Sequence, residues 1–341
     1  SFSGADNLIC RYLRVRMGMN GREGKDAAGI AYGSDMIFDH MSVTWGRDEC
    51  FSINGDPKKP ADLPRNITIQ NSFIGQGLQP HSCGGLIQTT INDGVTLYRN
   101  LYIDNKTRNP KVKGLNQFVN NVLYNWGNGG AYIMGDTQQK SDADIRNNYF
   151  IVGTTDNYDG KKLGATAPFT RYNEHFSAYL SGNFYDDNKD GLLNGRELGR
   201  ADCMKKSVVA GEEIITSPTF LERPSDVHPE IKELMTAQEA YEWIVANGGS
   251  SLPVRDEVDA YLIDELTSLG KKGLIIHSEE DIPTKGPGNI KSAKAPADTD
   301  NDGMPDEFED KYGLDKNDPA DAMKVASNGY TNIENYIFLI K

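Results

Sequence analysis

Short runs of alternating apolar and polar residues follow one another through the first half of the chain, and a glycine-rich loop separates each run from the next. Each run carries Asn, Ser or a charged residue in its middle. The runs cover residues 7–15, 35–43, 66–74, 95–103, 116–124, 143–151 and 175–185. Alternation with a period of two is typical of β-strands. The first 185 residues therefore predict repeated β-structure.

The spacing of the runs indicates how the strands are arranged. Their apolar anchors recur at steps of 31, 28, 21, 27 and 35 residues; these anchors are Phe38, Ile69, Leu97, Phe118, Ile145 and Leu180. A parallel β-helix tolerates loops of different length on each coil, so unequal steps are compatible with it. A β-sandwich or barrel with polar turns is the alternative.

Asparagines recur near the middle of the runs, at Asn71, Asn100, Asn120, Asn121, Asn147, Asn148 and Asn183. Asn tolerates a left-handed backbone conformation and can bond its neighbours along a ladder. Both properties suit the sharp turn between two sheets of a β-helix coil. We predict an all-β fold, a right-handed parallel β-helix over residues 1–195.

The pattern changes after about Asn194 and predicts two further regions. A partly helical arm over 196–290 packs on the β-helix. The capping box from Thr236 to Glu239 opens a helix that Gly248 closes, and a second helix covers 255–269, beginning near Asp256. A separate module follows over 291–341.

Composition narrows the classes of partner. The 341 residues carry a formal net charge of −13, and the pI is about 4.9. Such a surface repels nucleic acid and anionic membranes, and no apolar run is long enough to span a bilayer. A polyanionic sugar would need a local basic patch or bound cations.

The four cysteines, Cys10, Cys50, Cys83 and Cys203, are either disulfide-bonded or buried free thiols.

Residues 298–309 match the twelve-residue calcium-loop pattern in full. The side-chain ligands of this loop are predicted at Asp298, Asp300, Asp302, Asp306 and Glu309. Gly303 takes the sharp bend and Met304 offers a backbone carbonyl. We expect a structural Ca²⁺ in an EF-hand-like or thrombospondin type 3-like module. An acidic solvated linker is the alternative.

A second stretch, 186–197, fits the same pattern. It supplies the candidate ligands Asp186, Asn188, Asp190 and Glu197. No clear helix precedes it, so an Asn- and Gly-rich turn at the end of the last coil remains an equal alternative to a calcium site.

Four cations cluster directly after the 95–103 run, at Lys106, Arg108, Lys111 and Lys113. In so acidic a chain, such clustering favours an anionic partner. Upstream, Asp26 and Asp48 lie 22 residues apart, close to one minimal coil. That spacing would stack the two carboxylates on adjacent rungs, where they repel each other unless a cation such as Ca²⁺ lies between them.

These motifs together resemble the family 1 pectate lyases. Lys25–Ile30 (KDAAGI), the Phe-Asp-His strand at 38–40, the Trp-x-x-Asp-Glu turn at 45–49 and the Arg-Asn-Pro at 108–110 carry the resemblance. It extends over nearly all of residues 1–285, including TAQEAYEWIVANGGSSLPVRDEVDA, and is strongest to the bacterial branch. In that branch further coils precede GADNLICRYLRVRMG, which here starts at residue 4. The resemblance therefore implies missing N-terminal coils, or a separate fragment that completes the β-helix.

The resemblance also implies roles for particular residues. Arg108 corresponds to the catalytic base, and Asp26 and Asp48 correspond to ligands of a catalytic Ca²⁺. Lys113, with Lys111 near it, takes the place of a substrate-binding arginine. His81 lies near the position of a substrate-binding lysine.

The chain departs from the family at several positions. Thr44 and Gly24 stand where many members have a carboxylate ligand, and Glu49 and Asp39 are the candidates to compensate. Lysines at 111 and 113 replace arginines and lose bidentate recognition of carboxylates.

The implied activity is β-elimination on polygalacturonate or pectin by a protein that is secreted, periplasmic or on the surface of a bacterium. We expect neighbouring lysines and calcium to lower the pKa of Arg108, so that it can remove a proton. A β-helix glycoside hydrolase, a non-catalytic pectin-binding protein and a calcium-stabilised adhesin are the rival interpretations.

Overall fold

The computed structural model describes residues 1–340 except 57, 60, 61, 128, 129, 136, 156, 159, 160 and 163–166. The chain divides into two compact units, Ser1–Gly288 and Asn289–Lys341. In the first unit, six successive coils pass through three parallel sheets in the same order, which is the architecture of a parallel β-helix.

The three sheets of the β-helix are called A, B and C in the order in which a coil visits them. Sheet A consists of β1 (Asp6–Arg11), β4 (Ser34–Asp39), β7 (Arg65–Gln70), β10 (Val95–Tyr98), β13 (Leu115–Val119), β16 (Ser141–Arg146), β21 (Phe176–Ser181) and β26 (Thr219–Phe220). Sheet B consists of β2 (Arg14–Arg16), β5 (Ser42–Thr44), β8 (Phe73–Gly75), β11 (Leu101–Ile103), β14 (Val122–Tyr124), β17 (Tyr149–Ile151), β22 (Phe184–Asp186) and the antiparallel β23 (Arg196–Glu197). Sheet C consists of β3 (Ala28–Ile30), β6 (Phe51–Asn54), β9 (Leu86–Gln88), β12 (Lys111–Lys113), β15 (Tyr132–Ile133) and β20 (Phe169–Thr170).

Two hairpins, four α-helices and three 3-10 turns, Arg200–Cys203, Glu279–Asp281 and Asp321–Met323, complete the described secondary structure. The hairpins pair β18 (Asn157–Tyr158) with β19 (Lys161–Lys162), and β24 (Lys205–Val209) with β25 (Glu212–Thr216). The helices are α1 (Ala237–Asn247), α2 (Glu257–Thr267), α3 (Asp306–Tyr312) and α4 (Asn332–Leu339). None of the helices in the described part of the chain combines the length and the apolarity that crossing a membrane requires.

The apolar anchors predicted from the sequence are register partners in sheet A. Phe38 pairs with Ile69, Ile69 with Leu97, and Leu97 with Phe118. The series continues through Ile145 to Leu180. The first five of these six side chains are fully buried inside the coils. The predicted alignment of the coils at these unequal steps is therefore confirmed.

The asparagines occupy two adjacent positions of the turn between sheets A and B, where the sequence suggested one. The first position has a left-handed backbone, with φ of 55° at Asn71, 57° at Asn120 and 53° at Asn147. The second position forms a buried ladder. In it each amide Nδ2 donates to the Oδ1 of the next asparagine, from Asn100 to Asn121 (3.1 Å), Asn148 (3.1 Å) and Asn183 (2.8 Å).

Replacing Asn148 by Ala should destabilise the first unit by about 3 kcal/mol or more, because it leaves several buried polar groups without partners. Asn148 accepts from the backbone N–H and the amide of Asn121, and it donates to the Phe118 carbonyl and to Asn183. Urea unfolding measures the change. The exposed substitution Gln238→Ala should change the free energy of unfolding by less than about 0.5 kcal/mol; an Asn148→Ala effect equally small would contradict the role of the ladder.

The arm packs its two helices on the outer face of sheet B. Thr236 caps α1 in a capping box with Glu239, and Asp256 caps α2, as the sequence predicts. Side chains of α1 and α2, including Ile244, Leu262 and Leu266, form a buried cluster with the outward-facing residues of β8, β11, β14 and β17. Because the core of the coils covers the other face, sheet B is apolar on both sides.

A pair of buried carboxyl groups also joins α2 to the β-helix. Asp104 follows β11 and lies beside the carboxyl group of Glu265 on α2. Asn125 donates to Asp104 Oδ1 and Tyr261 donates to Glu265 Oε1, each at 2.5 Å. Neither Asp104 Oδ2 nor Glu265 Oε2 has a hydrogen-bond partner. Two carboxyl groups in contact must share a proton, since two adjacent buried carboxylates would repel each other.

The shared proton predicts a pH dependence of stability. Burial, with Glu265 beside it, raises the pKa of Asp104 well above its ordinary value. A raised folded-state pKa contributes stability below the unfolded-state pKa, and this contribution is lost as the pH rises through the folded-state pKa. In Asp104→Asn, the side-chain amide can still donate a hydrogen bond to Glu265, but it carries no titratable proton. Its melting temperature should therefore fall less than that of the wild type between pH 5 and about 9. Equal decreases in the two proteins, with the exposed Glu242→Gln as control, would contradict the shared proton.

All four cysteines are buried free thiols, which confirms that alternative over disulfides. Cys10 Sγ contacts Met41 Sδ at 3.7 Å inside the coils. Burial raises the pKa of Cys50 and of Cys83 to about 12, so both remain protonated at neutral pH. These thiols act as small apolar core side chains.

Candidate active site

The loops that lead into successive strands of sheet C stack on one another. Ala27 N–H donates to the Glu49 carbonyl at 3.0 Å, and Gly85 N–H donates to the Arg108 carbonyl at 2.8 Å. Between them, Glu49 forms a parallel bridge with Cys83 and Cys83 forms one with Thr107. Residues that are distant in sequence thereby lie on neighbouring rungs at one edge of sheet C.

Three carboxylates converge at this edge. Asp26, Asp48 and Glu49 each offer an oxygen within 4.8 Å of the others. Burial raises the pKa of Glu49 to about 8, with Arg108 acting against the rise and the charges of Asp48 and Asp26 adding to it. Burial also raises the pKa of Asp26. A cation relieves such repulsion, and a set of carboxylate oxygens is the donor type that Ca²⁺ prefers, so these residues fit a calcium ion.

Arg108 lies directly beside the acidic cluster. Its Nη1 donates to Glu49 Oε1 in an ion pair that joins the predicted base to the predicted metal site. Burial works to lower the pKa of Arg108, but the negative charge of its neighbours, Glu49 and Asp48 among them, outweighs burial and raises it. Without a bound cation, the pKa of Arg108 is therefore shifted opposite to the expected lowering, because a carboxylate is its nearest charged neighbour. The lowering by bound calcium stays a prediction.

Two glycines allow the Arg108 backbone to approach the neighbouring coil. A Cβ added to Gly84 would lie 2.6 Å from the Arg108 carbonyl oxygen, and one added to Gly85 would lie 2.3 Å from the carbonyl oxygen of Phe51. Arg108 itself has a left-handed φ of 55°, which side-chain-bearing residues rarely adopt. The Gly84-Gly85 pair therefore lets the Arg108 backbone lie close against the neighbouring coil.

The other predicted substrate-binding residues lie near this cluster. Lys111 and Lys113 begin and end β12, and both are half-buried on the outer face because Val112 between them points into the core. His81 is 47% exposed at its side chain, and its Nδ1 contacts Asp48 Oδ1. His81 therefore touches one of the predicted metal ligands.

A cleft of about 330 Å³ opens beside Asp26. It is lined by Lys25, Asp26, Gly29, Ser52 and Asn54. Asn54 pairs in register with Gln88, and Gln88 pairs with Lys113. The outer face of sheet C therefore leads from this cleft through polar side chains to the lysines of β12.

The two candidates to compensate for Thr44 and Gly24 lie in different places. Glu49 joins the acidic cluster, whereas Asp39 pairs with Arg11 (2.5 Å) and accepts from Asn71 (2.6 Å) on sheet A. Burial works to raise the pKa of Asp39, but His40, Asn71 and Arg11 outweigh it and lower it to about 2. Asp39 is therefore a structural ion-pair residue, and of the two candidates only Glu49 lies at the acidic cluster.

The predicted calcium loop of the second unit forms two overlapping acidic groups. Asp298, Asp300 and Asp302 make one group, and Asp302, Glu309 and Asp321 make the other. The predicted ninth ligand, Asp306, is in neither group. Its carboxylate accepts from the backbone N–H and the hydroxyl of Thr299 at 2.7 and 2.8 Å.

The side chains of the 186–197 loop bond one another. Asn194 Nδ2 donates to Asp190 Oδ2 at 2.9 Å, Asn188 Nδ2 donates to Asn194 Oδ1 at 2.6 Å, and Asp186 Oδ2 accepts from Asn194 N–H at 3.2 Å. Glu197 is exposed in β23. Within the described residues, the structure does not bring Asp186, Asp190 and Glu197 into a convergent group. The calcium site at this loop stays a prediction.

The chain is similar in sequence to several curated fungal proteins that carry the same description. It is 47% identical over 334 residues to a probable pectate lyase C of Aspergillus flavus, covering 98% of this chain and 72% of the relative. Probable pectate lyases C of Neosartorya fischeri and Aspergillus fumigatus are each 49% identical with the same coverage. No family model matches the chain.

Solved pectate lyases show a distant likeness. A pectate lyase from Bacillus sp. N165, in complex with trigalacturonate, has a TM-score of 0.39 and 15% identity, and the match covers 72% of this chain and 68% of that one. A thermostable pectate lyase has a TM-score of 0.47 and 16% identity, with coverage of 73% and 62%.

The curated relatives, and not the solved structures, place the chain in a class of polysaccharide-degrading enzymes. On the identity to its curated relatives, the chain belongs to the pectate lyase family, whose members degrade pectin. These relatives are fungal, so the assignment to a bacterial branch, with its periplasmic or cell-surface location, has no support. The predicted N-terminal fragment stays a prediction.

Proposed function

We propose that this pectate lyase is secreted and cleaves (1→4)-linked galacturonan by calcium-assisted β-elimination, with Arg108 as the base. The observation that carries the proposal is the contact of the Arg108 guanidinium with Glu49, at the edge of the Asp26–Asp48–Glu49 cluster. A base and a cation site side by side are what proton removal next to a carboxylate requires.

Asp26, Asp48 and Glu49 would hold the calcium ion. When bound, calcium supplies positive charge that offsets the uronate carboxylate and the negative charge that develops next to it. The two half-buried aspartates and the buried glutamate provide hard oxygen ligands at one point of the surface.

Arg108 takes the proton from C5 of the sugar. The electron pair of the C5–H bond forms the C4–C5 double bond, the bond from C4 to the glycosidic oxygen breaks, and that oxygen acquires a proton. Only a neutral guanidine can accept the C5 proton, and the neutral fraction rises with pH. We therefore expect an alkaline optimum of the rate, in line with the raised pKa of Arg108.

Lys111 and Lys113 are positioned to bind the carboxylates of neighbouring sugar units. They project from β12, three and five residues after Arg108. Each lysine offers a single charged ammonium group, where an arginine would offer a fork of donors, so carboxylates are held by charge more than by geometry. His81, which contacts Asp48, would bind the substrate at that side of the cluster.

The product of the reaction tests the proposal. The protein is incubated with polygalacturonate and with highly methylated pectin, each with calcium or with EDTA, and the ultraviolet absorbance of the unsaturated product is followed. We expect absorbance from polygalacturonate in calcium and none in EDTA. New reducing ends without ultraviolet absorbance would instead indicate hydrolysis by paired carboxylates and would refute β-elimination.

A further inference from the structure

The second unit has a very small core, and half of it is acidic. Among its described residues, the side chains buried from solvent belong to Met304, Glu309, Asp321 and Ala322. Glu309 is 0% and Asp321 is 3% exposed. Burying an ionised carboxylate without a partner costs several kcal/mol, so a unit with so little apolar core needs something that pairs with these two groups.

Three aspartates around this core share one pattern of hydrogen bonding. Asp300, Asp302 and Asp321 each accept a backbone N–H with one oxygen, from Asp302, Met304 and Asp315 respectively. The other oxygen of each has no hydrogen-bond partner, and Glu309 has none at either oxygen. The five oxygens without a partner are Asp300 Oδ2, Asp302 Oδ2, Glu309 Oε1, Glu309 Oε2 and Asp321 Oδ1.

Nearby lysines pair with other acids. Lys316 Nζ binds Asp310 at 2.8 Å, and Lys324 Nζ binds Asp318 at 2.9 Å. The carboxylates form two groups that share Asp302, and within each group the residues offer oxygens within 4.8 Å of one another. Convergent carboxylate oxygens with a bidentate glutamate form a donor set for a hard divalent cation.

We propose that the second unit holds a calcium ion between Asp298, Asp300, Asp302, Glu309 and Asp321, and that this ion forms the centre of its core. Asp321 lies twelve residues beyond Glu309, outside the loop, and takes the place that an EF-hand gives to the ninth loop residue. The site therefore joins the 298–309 loop to the 3-10 turn Asp321–Met323.

Asp306 has a different task in this arrangement. Asp306 begins α3 and accepts hydrogen bonds from Thr299. These bonds close the loop on itself, and the negative charge of Asp306 stabilises the first turn of the helix. The other side of the site is fixed by α4, since Asn332 Nδ2 donates to the Asp321 carbonyl at 2.8 Å and Tyr336 packs against Phe308. The ion would thus order α3 and α4 together.

The choice of calcium follows from the number and kind of ligands. Five carboxylates offer more oxygens than the octahedral shell of Mg²⁺ accepts from protein side chains, and the shell of Ca²⁺ holds six to eight oxygens at about 2.4 Å. So many negative charges also favour tight binding, because ligand charge sets the affinity of such sites.

Hydrogen–deuterium exchange of the whole chain, titrated with CaCl₂ after EDTA treatment, tests the site independently of catalysis. We expect calcium to slow exchange in peptides from 298–340 of the wild type. Asp321→Asn should need about tenfold or more calcium for the same protection. Asp306→Asn, which removes the ninth ligand of an EF-hand loop, should reach protection at the wild-type calcium concentration, as should the exposed control Asp310→Asn.

Two outcomes would overturn the proposal. One is exchange in 298–340 that does not respond to calcium in the wild type. The other is an Asp321→Asn protein that follows the wild-type titration while Asp306→Asn requires more calcium, which would restore the EF-hand ligand set. Because the peptides come from the second unit, calcium binding at Asp26, Asp48 and Glu49 does not affect the readout.

Discussion

Arg108→Ala should form unsaturated product from polygalacturonate about a thousandfold more slowly than the wild type, within the range that a general base contributes. Arg108→Lys should lose nearly as much. A lysine ammonium cannot reproduce the guanidinium that lies against Glu49 from a backbone held by Gly84 and Gly85. Initial rates of ultraviolet absorbance in saturating calcium measure both variants.

The control for this prediction is Arg65→Ala, an exposed arginine on β7 of sheet A. It removes the same side chain away from the cluster, and we expect its rate to match the wild type. Circular dichroism checks that the Arg108 variants are folded, because removing the guanidinium leaves the buried Glu49 without its counter-charge. Wild-type rates in a folded Arg108→Ala protein would rule out Arg108 as the base.

Asp48→Asn should raise the calcium concentration that gives half the maximal rate by about tenfold or more, since the charge of the ligands sets calcium affinity. Asp48 is one of three acids whose oxygens converge, and it also contacts His81. The asparagine keeps the shape of the side chain and removes its charge. Initial rates over a calcium series measure the effect, and high calcium should restore part of the lost rate.

Asp35→Asn is the matched control for Asp48→Asn. Asp35 is exposed on β4 and bonds Asn66, far along the coil from the cluster, and its left-handed backbone accepts asparagine. Its calcium dependence should equal that of the wild type. If Asp48→Asn had an unchanged calcium dependence and a lower rate at every concentration, Asp48 would act on the substrate and not on the metal.

The coil registers could be predicted from the sequence because a β-helix repeats one local rule. Each coil places an apolar anchor inside and a turn residue after it, so aligning Phe38, Ile69 and Leu97 aligns the sheet. Asp26 and Asp48 could be placed together because their spacing is about one coil. Both inferences need only the period of the strands and the length of the loops.

Glu49 could be named as a candidate from the sequence, but it could not be placed beside Asp48 in the same way. Neighbouring residues of a strand point to opposite faces, so Asp48 and Glu49 would not be expected to share a site. They do, because residues 46–50 form a loop stacked on the next coil, where strand alternation does not hold. From the sequence, Glu49 is therefore only one of two candidates, with Asp39, to compensate for Thr44 and Gly24.

In the second unit, too, the sequence pattern predicts only part of the candidate ligand set. The pattern of the 298–309 loop gives five positions from spacing alone, and it assigns Asp306 by rule. That Asp306 bonds Thr299 while Asp321 approaches Glu309 depends on how the following 3-10 turn folds back, which a twelve-residue pattern does not contain.

Rescue of Arg108→Ala by added guanidinium tests the central claim most directly, because it separates the base from every other contribution of the site. The rate of ultraviolet-absorbing product from polygalacturonate is measured in saturating calcium over a series of guanidinium concentrations, with NaCl at equal ionic strength as control. The account predicts a low rate that rises with guanidinium, and rises further at alkaline pH where more of it is neutral. Product formation at the wild-type rate without guanidinium, or a rate that guanidinium and NaCl change equally, would contradict it.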